Sequence, residues 1–236
     1  MNERTTTQIS ELEQQIADLK ARLPKHSIPP AMLIELEELE EKLEQARKEK
    51  TTGEHTMTIA SFEGKTPRIG AGTYVHPSAD VYGDVTLGQG CWVGAGARIR
   101  GDYGTIVIGD YSSVEENCVI HARPGEQTTI GDWVTLGHGA IIHNATIHDY
   151  VVVGMGGIVS DWTVVGEWAV VGEGAVVRQG QEIPPGHVAV GVPAKVLKEV
   201  GEEYKAQWTE FKKVYVDLAR RYPAGWKPLE LDPDEA

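Results

Sequence analysis

The stretch "GHGAIIH" contains two histidines, His138 and His143, and a third, His121, precedes it in the chain. Neutral imidazoles are common metal ligands, and two of them brought close together can share one metal ion. The spacing of five between His138 and His143 fits neither one face of a helix nor one face of a strand. The chemistry therefore depends on an element that brings distant positions together in another way.

A six-residue repeat supplies that element. An Ile, Val or Leu recurs at nineteen positions, mostly six apart, and several are followed by a glycine, which suits a tight corner. Such a repeat predicts a mainly β fold, a parallel β-helix in which three short strands form one triangular coil and the coils stack. The positions predicted to point into this prism are Ile69, Val75, Val81, Leu87, Val93, Ile99, Ile108, Val114, Ile120, Ile130, Leu136, Ile142, Ile147, Val153, Val159, Val165, Val171, Val177 and Ile183.

Helical patterns flank the repeat, which is assigned to residues 57–196. Residues 1–56 predict a coiled-coil hairpin and linker, because apolar residues follow helical spacing on both sides of the break "PKHSIPP". A solvated hairpin that serves oligomerisation is the favoured interpretation, and docking onto a partner protein is the alternative. Residues 197–236 predict a C-terminal helix and tail, with the apolar side of the helix against the prism.

Composition limits the partners of this chain. The net charge of −13 disfavours nucleic acid and anionic membranes, since the basic residues that neutralise phosphate are outnumbered. The apolar runs are too short to span a bilayer. The chain has only two cysteines and no basic and apolar leader, which indicates a cytoplasmic location without disulfides. A small-molecule substrate or a protein partner remains.

The repeat slips three times, with spacings of nine, ten and five residues in place of six. Each slip is interpreted as a loop or a deletion at a corner. All three follow aliphatic residues that are three repeat steps apart, so they leave from one edge of the prism. Arg100, His121 and His143 come directly after these residues. They are therefore predicted to stack on one another in successive coils, with about 4.8 Å between one coil and the next.

His138 belongs to another edge, because it follows Leu136 of the preceding column. One chain would have difficulty bringing all three histidines to one ion. A cyclic homotrimer solves the problem, since one subunit can present His138 to His121 and His143 of its neighbour. Ordinary exposed histidines are the alternative, but two at equivalent points of successive coils, both beside slips, favour a metal site.

An aromatic residue recurs three positions after the inward aliphatic residue in four consecutive coils. Packing beneath the C-terminal helix or at a subunit interface is the favoured interpretation of this aromatic ladder. Binding of a flat ligand ring is the alternative. The ladder consists of Tyr111, Trp133, Tyr150 and Trp168.

Residues from about 57 to 230 resemble the γ-class carbonic anhydrase family of left-handed β-helix trimers. The end of the repeat is also similar to hexapeptide acyltransferases. Within the family, the C-terminal segment is most similar to the branch of phenylacetate-degradation and carnitine-operon proteins. The matching pieces are "RGD" at 100–102, "GDYSSVEENCVIH" at 109–121, "GHGAIIH" at 137–143, "GMGGIVSD" at 154–161 and "IPPGHVAVGVPAKV" at 183–196.

The resemblance implies a zinc site formed by His121, His138 and His143, with His138 from the adjacent subunit; Fe²⁺ and Co²⁺ are alternative metals. It also implies reversible hydration of carbon dioxide to bicarbonate by a zinc-bound hydroxide, since such a site lowers the pKa of bound water to about 7. Hydrolysis of an acyl-CoA thioester by the same nucleophile is a second hypothesis, which the branch favours. A non-catalytic trimeric scaffold that docks a partner through the hairpin is the third.

Charged residues near the histidines receive roles as hypotheses. Glu116 has the same place in its coil as His138 has in the next, so it is predicted to orient the zinc-bound water or to move protons, with Glu115 as the second choice. Arg100 and Asp102 are interpreted as an ion pair at the subunit interface, a role that the resemblance also implies.

The chain departs from the family pattern at three positions. Glu115 and Glu116 stand where well-characterised members have Gln and Asp. Tyr103 replaces an acidic residue that transfers protons in an archaeal-type enzyme. These changes leave the metal site intact but weigh against efficient hydration of carbon dioxide.

Overall fold

The computed structural model describes residues 3–23, 29–52 and 58–229. The chain divides into two compact units, Met1–Thr56 and Met57–Ala236. The turn of the predicted hairpin, the end of its linker and the end of the predicted tail lie outside the described residues.

The first unit contains two helices, α1 at Glu3–Arg22 and α2 at Pro30–Thr52. Apolar residues at helical spacing on each helix form a shared cluster, as a hairpin requires. An ion pair of 2.7 Å between Lys20 and Glu40 also joins the two helices. The clustered residues are Ile9, Leu12, Leu39, Leu43 and Ala46.

The second unit is built from short strands that pair in parallel with strands one coil away. In two sheets the strands follow the orders β17-β14-β11-β8-β6-β9-β12-β15-β18 and β20-β19-β16-β13-β10-β7-β5-β3. The strands are β1 Thr58–Ala60, β2 Arg68–Ile69, β3 Tyr74–Val75, β4 Asp80–Leu87, β5 Trp92–Val93, β6 Arg98–Ile108, β7 Ser113–Val114, β8 Val119–His121, β9 Gln127–Ile130, β10 Thr135–Leu136, β11 Ile141–His143, β12 Thr146–Ile147, β13 Val152–Val153, β14 Ile158–Val159, β15 Val164–Val165, β16 Val170–Val171, β17 Val176–Val177, β18 Glu182–Ile183, β19 His187–Val190 and β20 Lys195–Glu199.

The inward positions predicted from the repeat form the core of this unit. Eighteen of the nineteen are buried, and Ile69, in the first coil, is partly buried against the same cluster. The predicted fold class, a left-handed parallel β-helix of hexapeptide repeats with flanking helices, is confirmed. Cys91 and Cys118 are free and fully buried in this core.

The three slips differ in structure. At the ten-residue slip, β8 ends at His121 and a loop leads to Gln127, while at the five-residue slip the chain turns between His143 and Thr146. At the nine-residue slip the pairing of β6 with β4 shifts register between the pairs Gly83–Gly101 and Val85–Ile106, so the extra residues form a bulge within the strand. On its other side β6 pairs with β8 up to Arg100 and with β9 from Thr105.

The "RGD" glycine lies where β6 passes the chain of the neighbouring coil. A Cβ at Gly101 would stand 2.7 Å from the carbonyl oxygen of Asp84, closer than two such atoms can approach. A residue without a side chain is therefore required between Arg100 and Asp102.

The repeat ends in an antiparallel hairpin of β19 and β20, and strand β20 spans the boundary predicted at residues 196 and 197. Helix α3, Glu202–Gly225, follows it. The helix packs on the sheet of β3, β5 and β7, with the ring centroid of Tyr222 4.4 Å from that of Trp92. Among the described residues, no helix combines the length and the hydropathy that a membrane-spanning segment needs.

The aromatic ladder packs mainly on itself. The rings of Tyr111 and Trp133 stack with centroids 4.8 Å apart, and those of Tyr150 and Trp168 stack at 4.7 Å. All four residues have positive φ between 56° and 59°, which places them at one kind of corner. The rings of α3 contact Tyr74 and Trp92 on a different face, and Trp226, directly after the helix, contacts His76, so packing beneath α3 does not account for the ladder.

Candidate metal centre

Two of the predicted ligands are brought together within one chain. His121 ends β8 and His143 ends β11, and the parallel register pairs them directly. Arg100 pairs with His121 from the other side. The predicted vertical arrangement of these three residues is therefore confirmed, and it follows from the repeat because each is the residue after an inward isoleucine.

The two imidazoles face each other through one nitrogen each. His121 Nδ1 lies 3.2 Å from His143 Nε2. Two ligand nitrogens on a tetrahedral zinc ion, with bonds of about 2.0–2.1 Å, are about 3.3–3.4 Å apart. The observed separation thus fits a shared metal ion.

The other ring nitrogen of each histidine is hydrogen-bonded to a carboxylate. His121 Nε2 lies 2.9 Å from Asp102 Oδ1, and His143 Nδ1 lies 2.5 Å from Asp161 Oδ1. A carboxylate accepts the proton of a neutral imidazole, which fixes the tautomer and leaves the lone pair on the other nitrogen. Both free lone pairs therefore point into the same gap.

Neighbouring groups lower the pKa of both carboxyls. A hydrogen bond of 2.8 Å from Arg123 holds the pKa of Asp161 below its usual range, against the effect of burial. Burial also opposes ionisation of Asp102, but the hydrogen bond with His121 and the charge of Arg100 lower the pKa of this carboxyl. Arg100 Nη1 is 3.2 Å from Asp102 Oδ2, so the predicted ion pair is present.

His138 lies at another edge, as expected, and its side chain is 49% exposed. Its Nδ1 is 2.6 Å from Glu116 Oε2, and its Nε2 is 3.2 Å from Glu115 Oε2. The predicted contact between Glu116 and His138 is confirmed. Within the part of the chain that the structure describes, no group of three or more His, Cys, Asp or Glu side chains is arranged to hold a metal ion.

Side chains of helix α3 lie close to the buried Glu115, which contacts His138. Burial raises the pKa of Glu115, although Tyr215 and this carboxylate share a hydrogen bond. The buried Lys212 Nζ donates to Thr135 Oγ1 at 3.1 Å and to the Val151 carbonyl oxygen at 3.2 Å. Burial lowers the pKa of Lys212 to about 7.

Tyr103 stands beside the other edge. Its ring centroid is 6.2 Å from that of His121, and the residue is 62% exposed. Its backbone N–H donates to Asp102 Oδ1 at 3.0 Å, so Tyr103 helps to hold the carboxylate that holds His121.

Asp161 and Arg123 were not singled out from the sequence. Asp161 ends the piece "GMGGIVSD" and follows Ser160, which continues the column of His143, so counting one residue further would have found it. Arg123 lies in the ten-residue slip, whose path the repeat does not determine.

Comparisons with known proteins show which proteins this chain resembles. Residues 66–101 match the family described as bacterial transferase hexapeptide (six repeats). Over 125 residues the chain is 50% identical to the probable carbonic anhydrase of Methanocaldococcus jannaschii, covering 53% of this chain and 79% of that protein. Over 166 residues it is 37% identical to the carbonic anhydrase of Geobacillus kaustophilus, covering 70% and 91%. Over 177 residues it is 33% identical to the carnitine operon protein CaiE of Salmonella agona, covering 73% and 89%.

The fold and the facing histidines define a hexapeptide-repeat β-helix protein with a candidate metal centre. The likeness to the carbonic anhydrases extends over most of their length. The chain belongs to the γ-class carbonic anhydrase family.

Proposed function

We propose that this chain is a metal-dependent carbonic anhydrase that hydrates carbon dioxide reversibly to bicarbonate. The observation that carries the proposal is the 3.2 Å separation of His121 Nδ1 and His143 Nε2, with a carboxylate on each outward nitrogen. His138 of the partner subunit supplies the third ligand. Zn²⁺ is the proposed metal, with Fe²⁺ and Co²⁺ as alternatives, because imidazole suits all three.

The residues of this chain prepare the site for the reaction. A zinc ion held by three neutral histidines supplies a nucleophile near neutral pH, because it lowers the pKa of bound water to about 7. Asp102 and Asp161 hold the two imidazoles in the tautomers that leave the facing nitrogens free. Glu116, beside His138, is proposed to orient the water or accept its proton, and the buried Glu115 is the second choice.

A homotrimer with its sites between subunits is part of the proposal. Val119 and Ile141 precede the inward isoleucines beside the histidines and pair in register with each other. Both are about two-fifths exposed, and Met155 near the His138 edge is more so. Exposed apolar side chains next to both halves of the site support contact between subunits there.

Replacing Arg100 by alanine is expected to weaken the trimer and, because its partner Asp102 also holds His121, to weaken metal binding as well. Its partner Asp102 would then lose a charge pair at the proposed interface, and we expect dissociation at about tenfold higher protomer concentration. Sedimentation over a dilution series measures this. Arg98→Ala is the matched control, because Arg98 lies on the same strand as Arg100 and forms an ion pair of 2.8 Å with Asp80. A trimer as resistant to dilution as the wild type would refute the interface role.

Stopped-flow carbon dioxide hydration on protein of verified metal content tests the proposed function. Activity should disappear with a chelator and return with zinc. Absence of hydration by metal-loaded trimer would contradict the proposal.

Acyl-CoA thioester hydrolysis is the second candidate, favoured by the likeness to the carnitine operon protein CaiE. The exposed Tyr103, at the position where the resemblance expects an acidic residue, weighs against efficient hydration. A panel of CoA thioesters assayed beside carbon dioxide separates the two reactions. Silence in both assays, with metal bound, would favour a scaffold that docks a partner through the separate unit Met1–Thr56.

A further inference from the structure

We propose that Arg123 is a positioning residue for His143. It acts through Asp161, and it thereby sets how tightly the site holds its metal ion. This inference rests on the proposed function, since it assigns a role at the same site. It concerns a residue of the ten-residue slip that is not hydrogen-bonded to the proposed ligand His121 or His143 but to the carboxylate beside His143.

The two oxygens of Asp161 have different partners. Oδ1 lies 2.5 Å from His143 Nδ1, and Oδ2 accepts a hydrogen bond of 2.8 Å from Arg123 Nη2. A carboxylate bonded at one oxygen only can rotate, because the terminal torsion of an aspartate is broad. With Arg123 in place, the plane of the carboxylate is fixed at both ends. The orientation of the His143 ring is then fixed as well.

Arg123 is itself held in place by a closed set of contacts. Its guanidinium carbon lies 4.9 Å from the centre of the Trp162 ring, a cation–π contact. Trp162 Nε1 donates to Glu126 Oε2 at 2.7 Å, and Asn144 Nδ2 donates to the same oxygen. The backbone N–H of Arg123 donates to Asn144 Oδ1 at 3.3 Å. The loop is thus tied to the two coils below it.

These contacts assign a structural role to the ten-residue slip. The extra residues between the inward positions form a loop that carries both Arg123 and Glu126. From there the arginine reaches Asp161, which is 38 positions later in the chain.

His121 has a similar set of outer partners. His121 is bonded to Asp102, and Asp102 is paired with Arg100 at 3.2 Å. Each facing nitrogen therefore belongs to an imidazole with an aspartate and then an arginine behind it. Loss of such outer partners costs metal sites about 10- to 100-fold in affinity or activity.

The test compares Arg123→Gln with the wild-type trimer. Zinc affinity is measured by competition with a chelator, and the cobalt-loaded protein gives the visible absorption of the site. We expect about tenfold weaker zinc binding and a changed cobalt spectrum, with an unchanged trimer and circular dichroism. Arg123→Lys should fall between the two, because lysine keeps the charge but not the planar contact. Arg98→Gln is the control: Arg98 is 46% exposed against 44% for Arg123, and its ion pair has the same 2.8 Å length.

Each outcome decides the matter. Wild-type zinc affinity and an unchanged cobalt spectrum in Arg123→Gln would overturn the inference, as would an equal loss in Arg98→Gln. If Arg123→Gln does not fold, Arg123→Lys decides in the same way. A wild-type protein that binds neither metal would instead refute the proposed function.

Discussion

His143→Ala is expected to lose both the bound metal and the carbonic anhydrase activity while the β-helix remains folded. The side chain lies outside the core, and the inward residue beside it, Ile142, is untouched. Removing one of three ligands should cost more than the roughly 10- to 100-fold typical of an outer partner. Metal analysis should fall from about one ion per chain to near zero, and hydration of carbon dioxide should fall with it.

His148→Ala is the matched control for this loss. His148 is exposed and follows the inward Ile147, just as His143 follows Ile142, but it comes directly after the next strand, β12, and lies outside the site. It should keep the metal and the activity. Full metal content in His143→Ala would remove this residue from the ligand set.

Mixing two inactive variants is expected to restore activity. In a cyclic trimer, a site is complete when one subunit supplies His138 and its neighbour supplies His121 and His143. His138→Ala and His143→Ala chains, unfolded together and reassembled in equal amounts, should therefore complete about a quarter of the sites. Activity and metal content of the reassembled trimers measure this fraction.

A second mixture controls for the first. His121→Ala and His143→Ala damage the same edge, where the two imidazoles face each other at 3.2 Å, so no exchange of subunits can rebuild a site. This mixture should stay inactive. Absence of activity in both mixtures, with subunit exchange verified by mass spectrometry, would contradict a site shared between subunits.

The repeat predicted the fold and the stacking of the histidines because every position in a coil follows from counting. His121 and His143 each come directly after an inward isoleucine, and the register pairs them. The same counting placed His138 at another edge and Glu116 beside it.

Features that do not follow the repeat were less predictable. The spacing of nine residues did not show that the extra residues bulge within strand β6, because the register of its pairing with β4 depends on the path of another coil. Arg123 lies in a loop with no period of its own. Lys212 and Tyr215 approach Glu115 from α3, whose docking the repeat does not encode.

One repeated pattern escaped notice although the sequence contains it. An aspartate opens a corner in several coils and accepts a hydrogen bond from a backbone N–H of the previous coil at 2.7–2.9 Å. This ladder satisfies backbone groups that the turn leaves without a strand partner. Its members are Asp110, Asp132 and Asp149.

Anomalous X-ray diffraction at the zinc edge, from crystals of protein purified without chelator and soaked in zinc, tests the shared metal site most directly. We expect one peak per chain, about 2.0–2.1 Å from His121 Nδ1, from His143 Nε2 and from a nitrogen of His138 of the partner subunit. A zinc peak held by one chain alone, or no peak at these histidines, would contradict a metal centre between subunits.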